Sequence, residues 1–147
     1  MTRPLTLSVI LLLAPLTLVA APVPTHLMKE RPLAEALKGE WQLTSRVENG
    51  TASDPDLIKN RRMVVGDGKY TLYNGKDEFL TAAFKVDATQ KPQHFDITDA
   101  RFNQLGVVKL EGDVLTLCLA PSGAARPTEF ESPAGKSRIL VTYTRVR

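Results

Sequence analysis

From residue 39 to the C-terminus, apolar and polar side chains alternate in short runs, and each run ends in turn chemistry. Such period-2 segments describe strands with one buried and one wet face. The first has Trp41, Leu43, Ser45 and Val47 on one phase and Gln42, Thr44, Arg46 and Glu48 on the other, followed by an Asn49-Gly50 turn. Asp54-Pro55-Asp56-Leu57-Ile58 reads as an N-cap, a proline at the first helical position and a short turn of helix. Strands at 62–65 and 69–73 flank Gly66-Asp67-Gly68, and Asn74-Gly75 suits the positive φ angles of a tight hairpin into the strand at 78–86. That strand places Leu80, Ala82, Phe84 and Val86 on one face. Phe95 and Ile97 mark a fifth strand against His94, Asp96 and Thr98, and in the sixth Leu105 and Val107 give way to Val108 and Leu110. That change of phase beside Gly106 predicts a bulge or bend. Glu111-Gly112-Asp113 reverses the chain into Leu115, Leu117 and Leu119, and a proline-rich loop leads to a last strand at 137–146.

About eight consecutive antiparallel strands with short turns predict an all-β fold, an antiparallel up-and-down barrel that closes on itself and leaves no open edge. A barrel of eight strands leaves an interior just large enough for side chains or one small ligand. In such a closed meander the start of the first strand lies beside the end of the last. Trp41 is therefore expected near Arg145, each in phase with the inward set of its own strand (Leu43 and Val47; Val141 and Tyr143). A guanidinium on an indole face contributes about 0.5–2 kcal/mol and would plug one end of the barrel. Ahead of the strands, Pro-Leu-Ala-Glu-Ala-Leu-Lys from Pro32, closed by Gly39, predicts a short N-terminal helix whose Leu33, Ala36 and Leu37 cover one end of the sheet.

The N-terminus follows a different pattern. Met1-Thr2-Arg3-Pro4 is a short basic start, and residues 5–19 form an apolar run broken by Thr6, Ser8, Pro15 and Thr17. This is the layout of a signal peptide over 1–21, with cleavage after Ala20 or Ala21. The run is short and interrupted for a transmembrane helix, which needs about 20 apolar residues; an uncleaved anchor is the alternative. Residues 22–31 carry two prolines and no apolar period and read as a spacer, which leaves 32–147 as the barrel domain. The one cysteine, Cys118, permits neither an intramolecular disulfide nor a lipid anchor at the leader. The expectation is export to a periplasm or the cell exterior, without lipidation and without stable membrane insertion after cleavage.

The 147 residues, 43% hydrophobic and 24% charged, suffice for one domain with one core. Against 19 Lys and Arg stand 16 Asp and Glu, scattered rather than blocked, so the formal charge of +3 is a small surplus and no nucleic-acid footprint.

Several of these residues together resemble a known group. Gly39-Glu40-Trp41 with an arginine closing the last strand looks like the G-x-W and terminal-Arg pattern of lipocalin-like (calycin) barrels. Leu37-Lys38-Gly39-x-Trp41-x-Leu43, Gly68-Lys69-Tyr70-Thr71-Leu72, Lys91-Pro92, Asp96-Ile97-Thr98, Glu111-Gly112-Asp113-x-Leu115-Thr116-Leu117-Cys118 and Arg126-Pro127-Thr128-Glu129-Phe130 are more specific. Over roughly residues 35–145 they are similar to a family of small uncharacterised lipocalin-like domains of planctomycete bacteria. The resemblance implies an exported bacterial protein, with Gly39, Trp41 and Arg145 closing the barrel, and carries no ligand or activity with it. Val108 stands where that family tends to have an aromatic residue.

No motif in the chain identifies a reaction. His26, His94 and Cys118 show no H-x-H, H-E-x-x-H or C-x-x-C spacing, so no metal or cofactor is expected. His94 falls on the polar phase of its strand, as an exposed histidine or, in the sharper reading, a haem ligand. Asp54 and Asp56 are a cap and a first-turn charge. Cys118 shares a face with Val114 and Thr116, on the outer wall or under a covering loop, where unreactive packing is the default. Gly66-Asp67-Gly68 and Gly112-Asp113 lack the strand-to-helix setting of a phosphate loop. Asn49-Gly50-Thr51 matches a glycosylation sequon but is explained by its turn. Arg126, Glu129 and Phe130 form the candidate ligand or contact loop; either the loop is a lid over the open end, or Phe130 packs on the barrel while Arg126 and Glu129 pair locally. Two function classes follow: a non-catalytic module binding a small hydrophobic ligand in the barrel, or an envelope interaction module with a filled barrel. A cavity of about 300 Å³ or more favours the first, and a close-packed interior the second. An enzyme is a distant third.

Overall fold

The computed structural model describes residues 31–147; the expected signal peptide, nearly all of the spacer and His26 lie outside the described residues. The chain enters through α1 (Leu33–Leu37) and continues in β1 (Gly39–Glu48), β2 (Thr51–Ala52), α2 (Pro55–Ile58), β3 (Arg61–Val65), β4 (Lys69–Asn74) and β5 (Asp77–Asp87). It ends in β6 (Gln93–Asp99), β7 (Phe102–Glu111), β8 (Val114–Leu119) and β9 (Ile139–Arg145). Each strand pairs antiparallel with the next around the sheet, and β9 pairs back onto β1. Eight strands thus close an up-and-down barrel, with the two-residue β2 as a flap on the end of β1.

Turn chemistry sets the register. Asn49 and Gly50 both take positive φ (49° and 81°) between the paired Glu48 and Thr51, the geometry of a two-residue primed turn. The β4–β5 reversal sits one residue later than expected. Asn74 still pairs with Asp77, and Gly75 (φ 61°) with Lys76 makes the turn, which needs glycine only at its first central position.

One end of the barrel is filled. Trp41 and Leu37 are fully buried there with Met63, Val108 and Leu115. Trp41 Nε1 donates to the Leu37 carbonyl at 2.8 Å, and Arg145 lies across the indole, its guanidinium carbon 4.1 Å from the ring centroid. Arg145 also donates from Nη2 to the Ala36 carbonyl (2.7 Å) and from Nη1 to that of Lys38 (3.0 Å). These are carbonyls at the C-terminal end of α1 that the helix itself leaves unsatisfied, and a cation there also meets the negative end of the helix dipole. Gly39 turns the chain from α1 into β1 at φ 126°, and a Cβ at this position would stand 3.2 Å from Arg145 Nη1.

Two expectations about strand phase are corrected. Leu43 faces Tyr143 but Ser45 faces Thr142, so a bulge at Thr44 reverses the alternation along β1. Arg46, opposite Val141, therefore turns inward and Val47 turns out. Conversely, β7 runs past Gly106 in continuous register with both neighbours and has no bulge. Its mixed apolar phase arises because both faces are buried: Val108 faces the core, while Val107 faces out beneath the 120–138 loop. Gly106 is small for another reason. A Cβ there would meet Leu119 Cδ2 at 2.6 Å and the carbonyls of Phe95 and Cys118 within 3 Å.

Candidate functional site

The end opposite Trp41 is open, and beneath it lies a cavity of about 200 Å³. Seven strands supply its apolar wall, with Leu43, Met63, Leu72, Leu80, Ile97, Leu117 and Val141 among the lining residues. A stack of aromatic rings limits its depth. Phe84 and Phe95 lie parallel with centroids 4.9 Å apart, and the Tyr70 ring tilts against both at 6.2 and 6.3 Å.

The polar residues of this lining are Arg46, Arg61, Gln104, Tyr70 and Tyr143, with Arg62 and Tyr73 at its margin. Burial pushes both phenols up, Tyr143 to about 12 and Tyr70 further. Both are therefore neutral hydroxyls at physiological pH. Arg46 and Arg61 lie close enough to Tyr143 to oppose that rise, although desolvation outweighs them.

The cations around the mouth differ in what answers them. Arg46 Nη2 is 2.6 Å from Glu48 Oε2, on the same phase of β1 after the bulge. Arg101 holds Asp99 through its side chain and its backbone N–H, which keeps that carboxyl below the usual carboxylate range, and reaches across to the Thr81 carbonyl at 2.8 Å. On the outer wall, Arg62 pairs with Glu40 at 3.3 Å and stacks on Tyr73 with its guanidinium carbon 4.1 Å from the ring centroid. Arg61, one residue away and in phase with Met63 and Val65, faces the interior. Its Nε is buried without a hydrogen-bonding partner among the described residues, and its guanidinium carbon lies 5.7 Å from the centroid of the Phe79 ring. An unsatisfied buried donor typically costs about 1–3 kcal/mol, and more when the group is charged.

The Arg126-to-Phe130 segment lies elsewhere, along the outer wall of β6 to β8. Arg126 forms a two-pronged ion pair with Asp96 and donates to the Gly106 carbonyl at 2.7 Å. Phe130 lies beneath Lys109, whose Nζ is 5.0 Å from the ring centroid, and Glu129 is exposed. Pro127, Val107 and Cys118 are buried under the loop, and Cys118 Sγ donates to the Glu131 carbonyl at 3.3 Å. Burial pushes this thiol up, as expected of an inert cysteine. Asn49 Oδ1 accepts from Gly135 N (2.7 Å) and Ser137 N (3.1 Å), so the sequon asparagine anchors the loop's far end.

His94 pairs with the outward-facing Val107 and points away from the interior, so it cannot ligate a group inside the barrel. Among the described residues no group of three or more His, Cys, Asp or Glu could hold a metal ion, and no helix is long and apolar enough to cross a membrane.

Sequence patterning missed Arg46 and Arg61 as cavity residues. Arg61 was within reach: beginning the third strand one residue earlier puts it in phase with Met63. Arg46 was not, because the Thr44 bulge that turns it inward has no mark in the sequence.

No protein-family model, curated protein or solved structure matches this chain. What stands is a closed eight-stranded barrel of the calycin, lipocalin-like type, reached through its geometry.

Proposed function

We propose that this chain is an exported, non-catalytic binding module that holds one small, largely apolar molecule in the open half of its barrel. The carrying observation is the unequal filling of the interior. Large side chains occupy the Trp41 end, whereas the other end keeps about 200 Å³ beneath an open mouth. That volume is below the roughly 300 Å³ at which drug-sized pockets begin, yet an apolar cavity of about 150 Å³ is enough for benzene. The ligand is therefore compact. Export is the expectation from the basic start and apolar run of residues 1–21, and the motif likeness to planctomycete lipocalin-like domains agrees with it.

The alternative, an envelope interaction module working through the outer wall, has less support. Arg126 is engaged by Asp96 and Gly106, and Phe130 by Lys109, so the segment proposed as its contact loop is occupied within the chain.

Native mass spectrometry of the protein purified from its own host's envelope tests the proposal. The expected result is a shortened N-terminus near residue 22 and a small adduct that denaturation releases. A clean apo mass, together with no thermal shift across small apolar compounds, would overturn the binding reading.

A further inference from the structure

Three arginines stand among the residues lining the cavity, and the guanidinium of Arg61 differs from the others. Arg46 has Glu48, Arg101 has Asp99, and Arg62 has Glu40. Arg61 faces the same cavity as Tyr143 with a buried Nε that no described residue accepts from. Nε and one Nη of a guanidinium form a flat edge with two parallel N–H bonds, the shape that matches the two oxygens of a carboxylate. One unanswered positive charge calls for one negative charge. A doubly charged phosphate would need further cations, and the nearest, Arg46, is already neutralised by Glu48. The space below the arginine admits an apolar body about as bulky as a single ring or a short alkyl chain.

We propose that the open half of the barrel takes a small monocarboxylic acid, with its carboxylate on the inward edge of Arg61 and its apolar body against Leu72, Leu80 and Val141. This inference rests on the binding reading and narrows it to one chemical class. Tyr143 stands beside the arginines as a neutral hydroxyl able to donate to the same carboxylate. Phe79, half-exposed at the mouth, flanks the approach with its ring over Arg61.

The test is a ligand-detected NMR titration of the purified protein with two acid and alcohol pairs matched in bulk: hexanoate with 1-hexanol, and benzoate with benzyl alcohol. The acids should bind about tenfold or more tightly than the alcohols, as expected for a charge-assisted bidentate contact. Arg61→Met, apolar and of similar length, should abolish that preference, so that each acid binds no more tightly than its matched alcohol. Arg61→Lys, which keeps the charge without the fork, should restore part of it, and it serves as the working variant should Arg61→Met not fold. Equal binding of acids and alcohols by the unaltered protein would overturn the carboxylate inference and leave the binding module standing. An acid preference that persists in Arg61→Met would likewise remove Arg61 from the site. Binding of neither class would overturn the inference and the binding reading together.

Discussion

Arg145 shows how one side chain can hold two elements at once. It covers the indole of Trp41 and satisfies two carbonyls of α1, so the helix is attached to the barrel through the last residue of β9. Replacing it with methionine keeps much of the bulk but removes the cation and both donors. Arg145→Met should cost about 2–4 kcal/mol, combining the stacking contribution with two carbonyls left without their donors. Urea denaturation followed by the fluorescence of the sole tryptophan measures this directly, because Trp41 is the partner being uncovered. A loss below about 0.5 kcal/mol would mean that water replaces the arginine at no cost. The pairing of Trp41 with Arg145 was legible in the sequence because closure of an even-stranded meander fixes which ends meet. The helix carbonyls were not, since they depend on the angle at which Gly39, at φ 126°, turns the chain.

The 120–138 loop is the largest irregular element of the barrel domain and forms a small second core on the outer wall. Val107, Cys118 and Pro127 are buried there, with Asp96 and Arg126 as the charged clasp. Alternation revealed the strands because each has one face toward the main core. It misled at β7, where the loop buries the outer face as well and both phases are apolar. Cys118 is a convenient reporter of this element, being the only cysteine and lying beneath the loop. In the folded protein it should react slowly with an aromatic disulfide reagent, because burial excludes the reagent and disfavours the thiolate. Arg126→Met leaves Asp96 without its partner and should speed the native-state reaction by about tenfold or more, through local opening of the loop rather than global unfolding. A reaction rate unchanged from the parent protein would assign the anchoring to Asn49 and Phe130 instead.

At the scale of the whole molecule, a uniform strand pattern encloses a non-uniform interior. Leu115 and Leu80 hold equivalent inward positions on strands far apart around the barrel, and nothing in the alternation distinguishes them. Leu115 is 1% exposed in the filled half, whereas Leu80 is only partly buried and lines the cavity. The difference arises from neighbours that sequence periodicity cannot assign: Trp41 and the aromatic stack occupy one half, and the bulge at Thr44 gives the other an arginine where alternation placed a valine. Truncation should expose this gradient. Leu115→Ala removes a fully packed side chain and leaves a void, so about 2–5 kcal/mol should be lost. Leu80→Ala enlarges a space that already exists, and its cost should stay near 1 kcal/mol, the transfer of a partly buried group. Urea midpoints of the two variants at a common m-value measure the difference. Equal losses would mean that the barrel is packed alike from end to end, in which case an interior ligand would have no place and the outer wall would become the functional surface.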